Sequence, residues 1–138
     1  MSGKIDDLQD ENVELRVETI LNPSEDPEKV KKCLVNVVNG CRPVTKDGHV
    51  EATCRGIMSL HHIRVGVRSK SSLGVFRKLL EWNRKGNVTW FLLNKQAAYS
   101  GVISLAEHYE ESSLGPIRVT ITSKSLDTII EWLLLNRG

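Results

Sequence analysis

The chain has 138 residues, 40% hydrophobic and 26% charged, which suits one globular domain with one core. No apolar run approaches the roughly 20 residues of a membrane helix, and the polar, acidic start "MSGKIDDLQDENVEL" lacks the apolar stretch of a signal peptide, so a cytoplasmic setting is expected. The net charge of +2 conceals a polarity: residues 1–28 carry nine acids against Lys4 and Arg16, and residues 55–85 carry eight bases against Glu81.

Residues 1–11 read as a flexible acidic tail, and 12–138 as a single domain. In "VELRVETIL", Val13, Leu15 and Val17 alternate with Glu14, Arg16 and Glu18, the period of a half-buried strand. "NPSEDPEKV" opens a helix, with Asp26 as N-cap, Pro27 at the first helical position and Glu28 in the electropositive first turn. Val30, Cys33, Leu34, Val37 and Val38 form its apolar stripe, and Gly40 stops it. "TKDGHVEATC" reads as a turn at Asp47-Gly48 followed by a short strand. Cys33, Cys41 and Cys54 form no C-x-x-C pair, and the adjacent His61 and His62 would diverge on a helix, so reduced, buried thiols and no metal are expected.

"SLHHIRVGVR", residues 59–68, fits both periods. Ile63, Val65 and Val67 alternate as in a strand, whereas Leu60, Ile63 and Val67 make a helical stripe with His61, Arg64 and Arg68 elsewhere. From Ser71 or Ser72 a helix is expected to about Lys85, with Leu73, Phe76, Leu79 and Leu80 inward and Val75 and Trp82 beside them. "NVTWFLL" is a central strand, and Trp90 and Phe91 read as core. "GVISLAE" is the next strand, across the corner "NKQAAYS". In "SLGPI" the residue before Pro116 is expected to be extended. "IRVTIT" alternates as the last strand, and "SLDTIIEWLLL" is the closing helix. The expected fold is α+β: two layers, a mostly antiparallel sheet with helices on one face, in the order β-α-β-(α-α)-β-β-β-α.

No G-x-S-x-G, P-loop or dinucleotide fingerprint occurs, so the sequence contains no catalytic signature and implies no cofactor. The basic segment points to a polyanion. Arg64, Arg68 and Lys70 have no acidic sequence neighbour, whereas Arg77 and Lys85 interleave with Glu81. Such a cluster would hold phosphates, adding affinity without base specificity. Lys95 and Gln96 stand at the end of an apolar segment, where packing alone does not call for them.

The stretches "NPSEDPEKVKKCLVNV", "SLHHIRVGVRSKSSLGVFRKLL", "FLLNKQAAYSG", "SLGPIRVTI" and "IIEWLLLNRG" together resemble an archaeal uncharacterised protein family, number 201, filed as RNA-binding. The resemblance runs from about residue 13 to the end, with "LNKQAA" and "LGPI" as its most specific parts. It implies a fold like that of the ribosomal protein that holds the small RNA of the large subunit. It also implies a helix over residues 59–68, with Arg68 and Arg77 at the family's arginine positions. The departure at "SKSS" implies a break between two helices at 69–71. The resulting expectation is a non-catalytic RNA-binding protein using Arg64, Arg68, Lys70, Arg77, Lys78, Lys95 and Gln96. Two alternatives stand beside it: a small enzyme or nucleotide-binding protein with Lys95 and Gln96 in a pocket, and a structural homodimer.

Overall fold

A computed structural model of the chain describes residues 13–109 and 113–135. The tail expected over residues 1–11 lies outside the described residues. Strand β1 (Glu14–Ile20) alternates as its sequence requires, burying Leu15, Val17 and Thr19. Helix α1 (Pro27–Val37) begins where expected, with the Asp26 carboxylate accepting from the Glu28 N–H at 3.0 Å.

Strands β2 (Val44–Lys46) and β3 (His49–Arg55) form a hairpin. Its two turn residues, Asp47 and Gly48, have φ of 48° and 83°, the double positive φ that matches the twist of a tight hairpin. β2 extends the expected single strand by a pairing too short to announce itself in sequence.

A 3-10 turn (Ile57–Leu60) leads into α2 (His61–Ser69), and α3 (Leu73–Trp82) follows. Residues 59–68 are thus helical, and the break falls at Lys70–Ser72, where Ser71 takes φ 55°. Strand β4 (Val88–Leu93) runs into a short helix α4 (Lys95–Tyr99), then β5 (Leu105–Ala106), β6 (Ile117–Thr122) and α5 (Leu126–Leu134).

The six strands form one antiparallel sheet in the order β2-β3-β1-β6-β4-β5. The inward residues of β1, β3, β4 and β6 meet those of α1, α2, α3 and α5 in one continuous core, so helices cover one face of the sheet. Phe76 and Phe91 meet edge to face there, with centroids 4.9 Å apart. No helix among the described residues is long and apolar enough to cross a membrane.

Four expectations are corrected. "GVISLAE" is mostly not strand: only Leu105 and Ala106 pair, and Ile103 packs on α2 at Gly66. A Cβ at Gly66 would lie 2.5 Å from the Cβ of Ile103, so the missing side chain admits the crossing. Gly115 has φ 83°, a conformation open to glycine alone at this pre-proline position, and its backbone rests against Ile20. Val75 and Trp82 do not join the core: Trp82 is 72% exposed, since it lies well round the helix from the stripe of Phe76, Leu79 and Leu80. Finally, Cys41 and Cys54 are joined as a disulfide, leaving Cys33 as a buried thiol. The chain after α1 runs back alongside β3, a proximity that no spacing in the sequence signals. Burial pushes the Cys33 thiol up to about 12, with Lys95 opposing and Glu25 adding to the shift, so it stays protonated.

Candidate nucleic-acid interface

The residues nominated from sequence separate into three environments. Arg77 and Lys78 lie exposed on α3, and Lys70 is exposed in the break before it. Arg77 approaches Glu81 at 3.9 Å, an i,i+4 pair between exposed groups that adds little stability. The Lys78 ammonium sits 5.0 Å from the ring centroid of Trp82. A cation and an exposed indole therefore share one outward face, one helical turn apart.

Arg68 and Arg64 lie one turn apart on α2. Arg68 is half-buried, but Arg64 is only 9% exposed. The Nε of Arg64 donates to the Trp132 carbonyl at 2.8 Å, and its guanidinium lies 4.9 Å from the Trp132 ring centroid. The contact ties α2 to the last turn of α5, where a cation complements the exposed carbonyls. Burial, and then the charge of Arg68, lower the Arg64 pKa from its ordinary value. Arg64 therefore serves the fold before any surface.

Lys95 is not at a surface at all. Its side chain is 0% exposed, at the N-terminal end of α4, where the Asn94 side chain accepts from the Ala97 N–H at 2.8 Å. The Nζ donates to the Ile20 carbonyl at 2.7 Å and the Leu114 carbonyl at 3.0 Å, and pairs with Glu25 Oε1 at 3.0 Å. Glu25 also accepts from the Asn22 N–H at 3.0 Å, the Asn22 side-chain amide at 2.8 Å and the Tyr99 hydroxyl at 3.2 Å. Burial pushes the Glu25 carboxyl up, but the Asn22 bonds and the Lys95 ammonium outweigh it and hold the pKa below 4.5. Burial, with Glu25 alongside, raises Tyr99 to about 12.

A nucleic acid approaching from outside cannot reach this lysine. The expected contact at Lys95 gives way to a buried clasp joining the end of β1, the turn before α1 and the chain before β6. None of the basic helical residues is among its partners. Gln96, in contrast, is exposed.

The opposite face of the sheet carries side chains that sequence reading passed over. Trp90 and Arg118 occupy the outward parity of β4 and β6, and the Arg118 guanidinium lies 4.3 Å from the Trp90 ring centroid. Beside them Arg16 donates to Glu51 at 3.0 Å, and His49 Nε2 lies 2.9 Å from the same Glu51 oxygen. The alternation in "IRVTIT" already set Arg118 outward. Trp90 was read as core because its strand is apolar nearly throughout, which hides the parity.

Residues 14–123 match the sequence profile of a family described as RNA binding. The UPF0201 protein of Sulfurisphaera tokodaii is 37% identical over 121 residues, covering 85% of this chain and 83% of that protein. The UPF0201 protein of Thermococcus kodakarensis is 33% identical over 124 residues, covering 87% and 88%. The crystal structure of a UPF0201 protein from Methanococcus jannaschii superposes with a TM-score of 0.76 at 29% identity, covering 91% of this chain and 94% of that one. The chain belongs to the family described as RNA binding, and its relatives are UPF0201 proteins.

Proposed function

From that membership we propose that the chain binds RNA without catalysis, through phosphates held by Arg68 on α2, Lys70 in the break after it, and Arg77 and Lys78 on α3. The observation that carries the reading is the Lys78–Trp82 pair. An indole 72% exposed beside a cation, in a segment of eight bases and one acid, is the combination that single-stranded RNA uses. The cations attract the backbone, and the indole offers a face on which a base of any identity stacks. The interface therefore favours affinity over sequence readout.

The test is the salt dependence of binding to a short single-stranded RNA. Each phosphate contact contributes a slope of about −0.7 in log K against log salt. Replacing Lys70 and Lys78 together by alanine should flatten the slope by about 1.4. Trp82→Ala should weaken binding by about 1–3 kcal/mol and leave the slope alone. No binding at low salt, or a slope unchanged in the double variant, would remove the reading. Sedimentation of the free protein covers the rival occupant of the exposed Val75–Trp82 stripe, a second copy of the chain. A dimer abolished by Trp82→Ala would favour that occupant.

A further inference from the structure

The bare face of the sheet holds a cleft of about 610 Å³, within the roughly 300–1,000 Å³ range of small-ligand sites. Its walls include Glu18 and Ile20 of β1, His49 after the hairpin turn, Tyr109, Pro116 and Arg118. It lies on the side of the sheet away from α2 and α3, so it is independent of the phosphate-binding face proposed above.

Arg118 is placed unusually. Its Cα partner on β1 is Glu18, a carboxylate directly across the strand pair. The guanidinium nevertheless turns away, to lie over Trp90 and to donate from Nη1 to the Tyr109 hydroxyl at 3.3 Å. Among the described residues its buried Nε has no hydrogen-bond partner, a desolvated donor that none of them satisfies. Glu18 is left with one ion pair among the described residues, the 3.6 Å approach of Arg16. The cleft thus keeps apart two groups that would ordinarily pair: a planar cation backed by an indole, and an acceptor carboxylate.

Each half of this arrangement narrows the ligand. A guanidinium supported on an aromatic ring, with the half-exposed Tyr109 at its edge, favours a flat, electron-rich ring. The carboxylate accepts only, so the ring should present N–H donors along one edge. The lining holds two carboxylates, Glu18 and Asp47, against the one guanidinium of Arg118, so a bare phosphate gains no net attraction there. Among the nucleobases, guanine alone offers two adjacent donors, N1–H and the N2 amine, on one edge. A single carboxylate can accept both.

We propose that this cleft binds a guanine base, stacked on Arg118 and held at its donor edge by Glu18. The same chemistry could come from a free guanine mononucleotide or from an unpaired guanosine in RNA. Titration of the ¹⁵N-labelled protein with GMP, AMP and two otherwise uridine pentanucleotides, carrying a central G or a central A, separates these sources. The Trp90 indole resonance reports on occupancy.

The guanine ligands should move that resonance and bind about tenfold or more tightly than their adenine counterparts, the scale of a bidentate base contact. Glu18→Gln should remove most of that preference, because an amide has one acceptor and turns a donor toward the base. Arg118→Lys should weaken both bases, because an ammonium cannot stack. Lys78→Ala should leave GMP affinity unchanged, so loss of the phosphate face and loss of this site are distinguishable. A response to the G pentanucleotide alone assigns the RNA source, and a response to GMP as well assigns the base in either form. No movement of the Trp90 resonance with any guanine ligand, equal affinity for guanine and adenine, or an unaltered preference in folded Glu18→Gln would overturn the proposal.

Discussion

Replacing Lys95 by methionine tests whether the "NKQAA" corner is architecture. Methionine keeps most of the aliphatic stem, so the change removes a charge and its hydrogen bonds to Ile20, Leu114 and both Glu25 oxygens while leaving a small cavity. Removing one member of a buried pair typically costs about 3–5 kcal/mol, because the other charge remains in a dry site. Here Glu25, with its side chain 6% exposed, would keep the two Asn22 bonds and the Tyr99 hydroxyl. The Leu114 carbonyl would keep the Asn22 side-chain amide at 3.0 Å, whereas the Ile20 carbonyl would lose its Nζ donor. Those remaining bonds place the cost near the lower end, about 3 kcal/mol.

For a chain of this size, between the ranges of small and mid-sized domains, each kcal/mol shifts the midpoint by about 4 °C. Thermal unfolding followed by circular dichroism should therefore show a fall of about 12 °C. The double change Lys95→Met with Glu25→Gln should cost less than the single one, since no buried charge is then left alone. RNA affinity, measured well below the midpoint, should be that of the parent. A midpoint within about 3 °C of the parent, less than 1 kcal/mol, would refute the reasoning. So would a loss of RNA binding in a fully folded Lys95→Met protein.

Two further outcomes follow from the same geometry. Because the folded pKa of Glu25 lies below 4.5, its contribution is present above that value and is lost as pH falls through the folded pKa; Glu25→Gln should flatten the decline in stability on the acid side of 4.5, as read from urea midpoints. Gly66→Ala should destabilise by about 1–2 kcal/mol, an overpacking cost of about 1–3 less a helix-propensity gain of up to about 1, whereas Gly74→Ala, with nothing within 4 Å of its added Cβ, should be neutral or slightly stabilising.

The parts of this fold legible in sequence are those set by local period. The strand parity of β1 and β6, the cap of α1 and the stripe of α5 each follow from neighbours within a few residues. Residues 59–68 fit two periods at once, and local pattern could not choose between them. Tertiary burial of Ile63 and Val67 against the core decides in favour of the helix. "GVISLAE" looked like a strand for the converse reason: Ile103 packs on α2 at Gly66, and an apolar side chain buried by a helix reads in sequence like one buried in a sheet. Trp82 was misplaced by size. A large aromatic suggests core, yet its helical angle from Phe76 and Leu80 was available and pointed outward.

Charge was the least legible quantity, for a physical reason. A cation's role depends on whether a partner waits for it, and partners lie far along the chain. Glu25 stands 70 residues before Lys95, and Trp132 stands 68 after Arg64. Arg84 likewise pairs with Asp127 of α5, 43 residues on. The positive excess of residues 55–85 is therefore not all surface field. Arg64 is spent on α5 and Arg84 is paired, while Lys70 and Lys78 stand exposed. A phosphate backbone meets the cations that folding has not already engaged, so the salt slope should count those and fall short of the eight bases in the sequence. The same reasoning explains why Arg118, set outward between the buried Ile117 and Val119 in "IRVT", gave no signal beyond its parity. Its significance lies in a carboxylate across the strand pair that it does not bond, and only the register of β1 and β6 brings the two together.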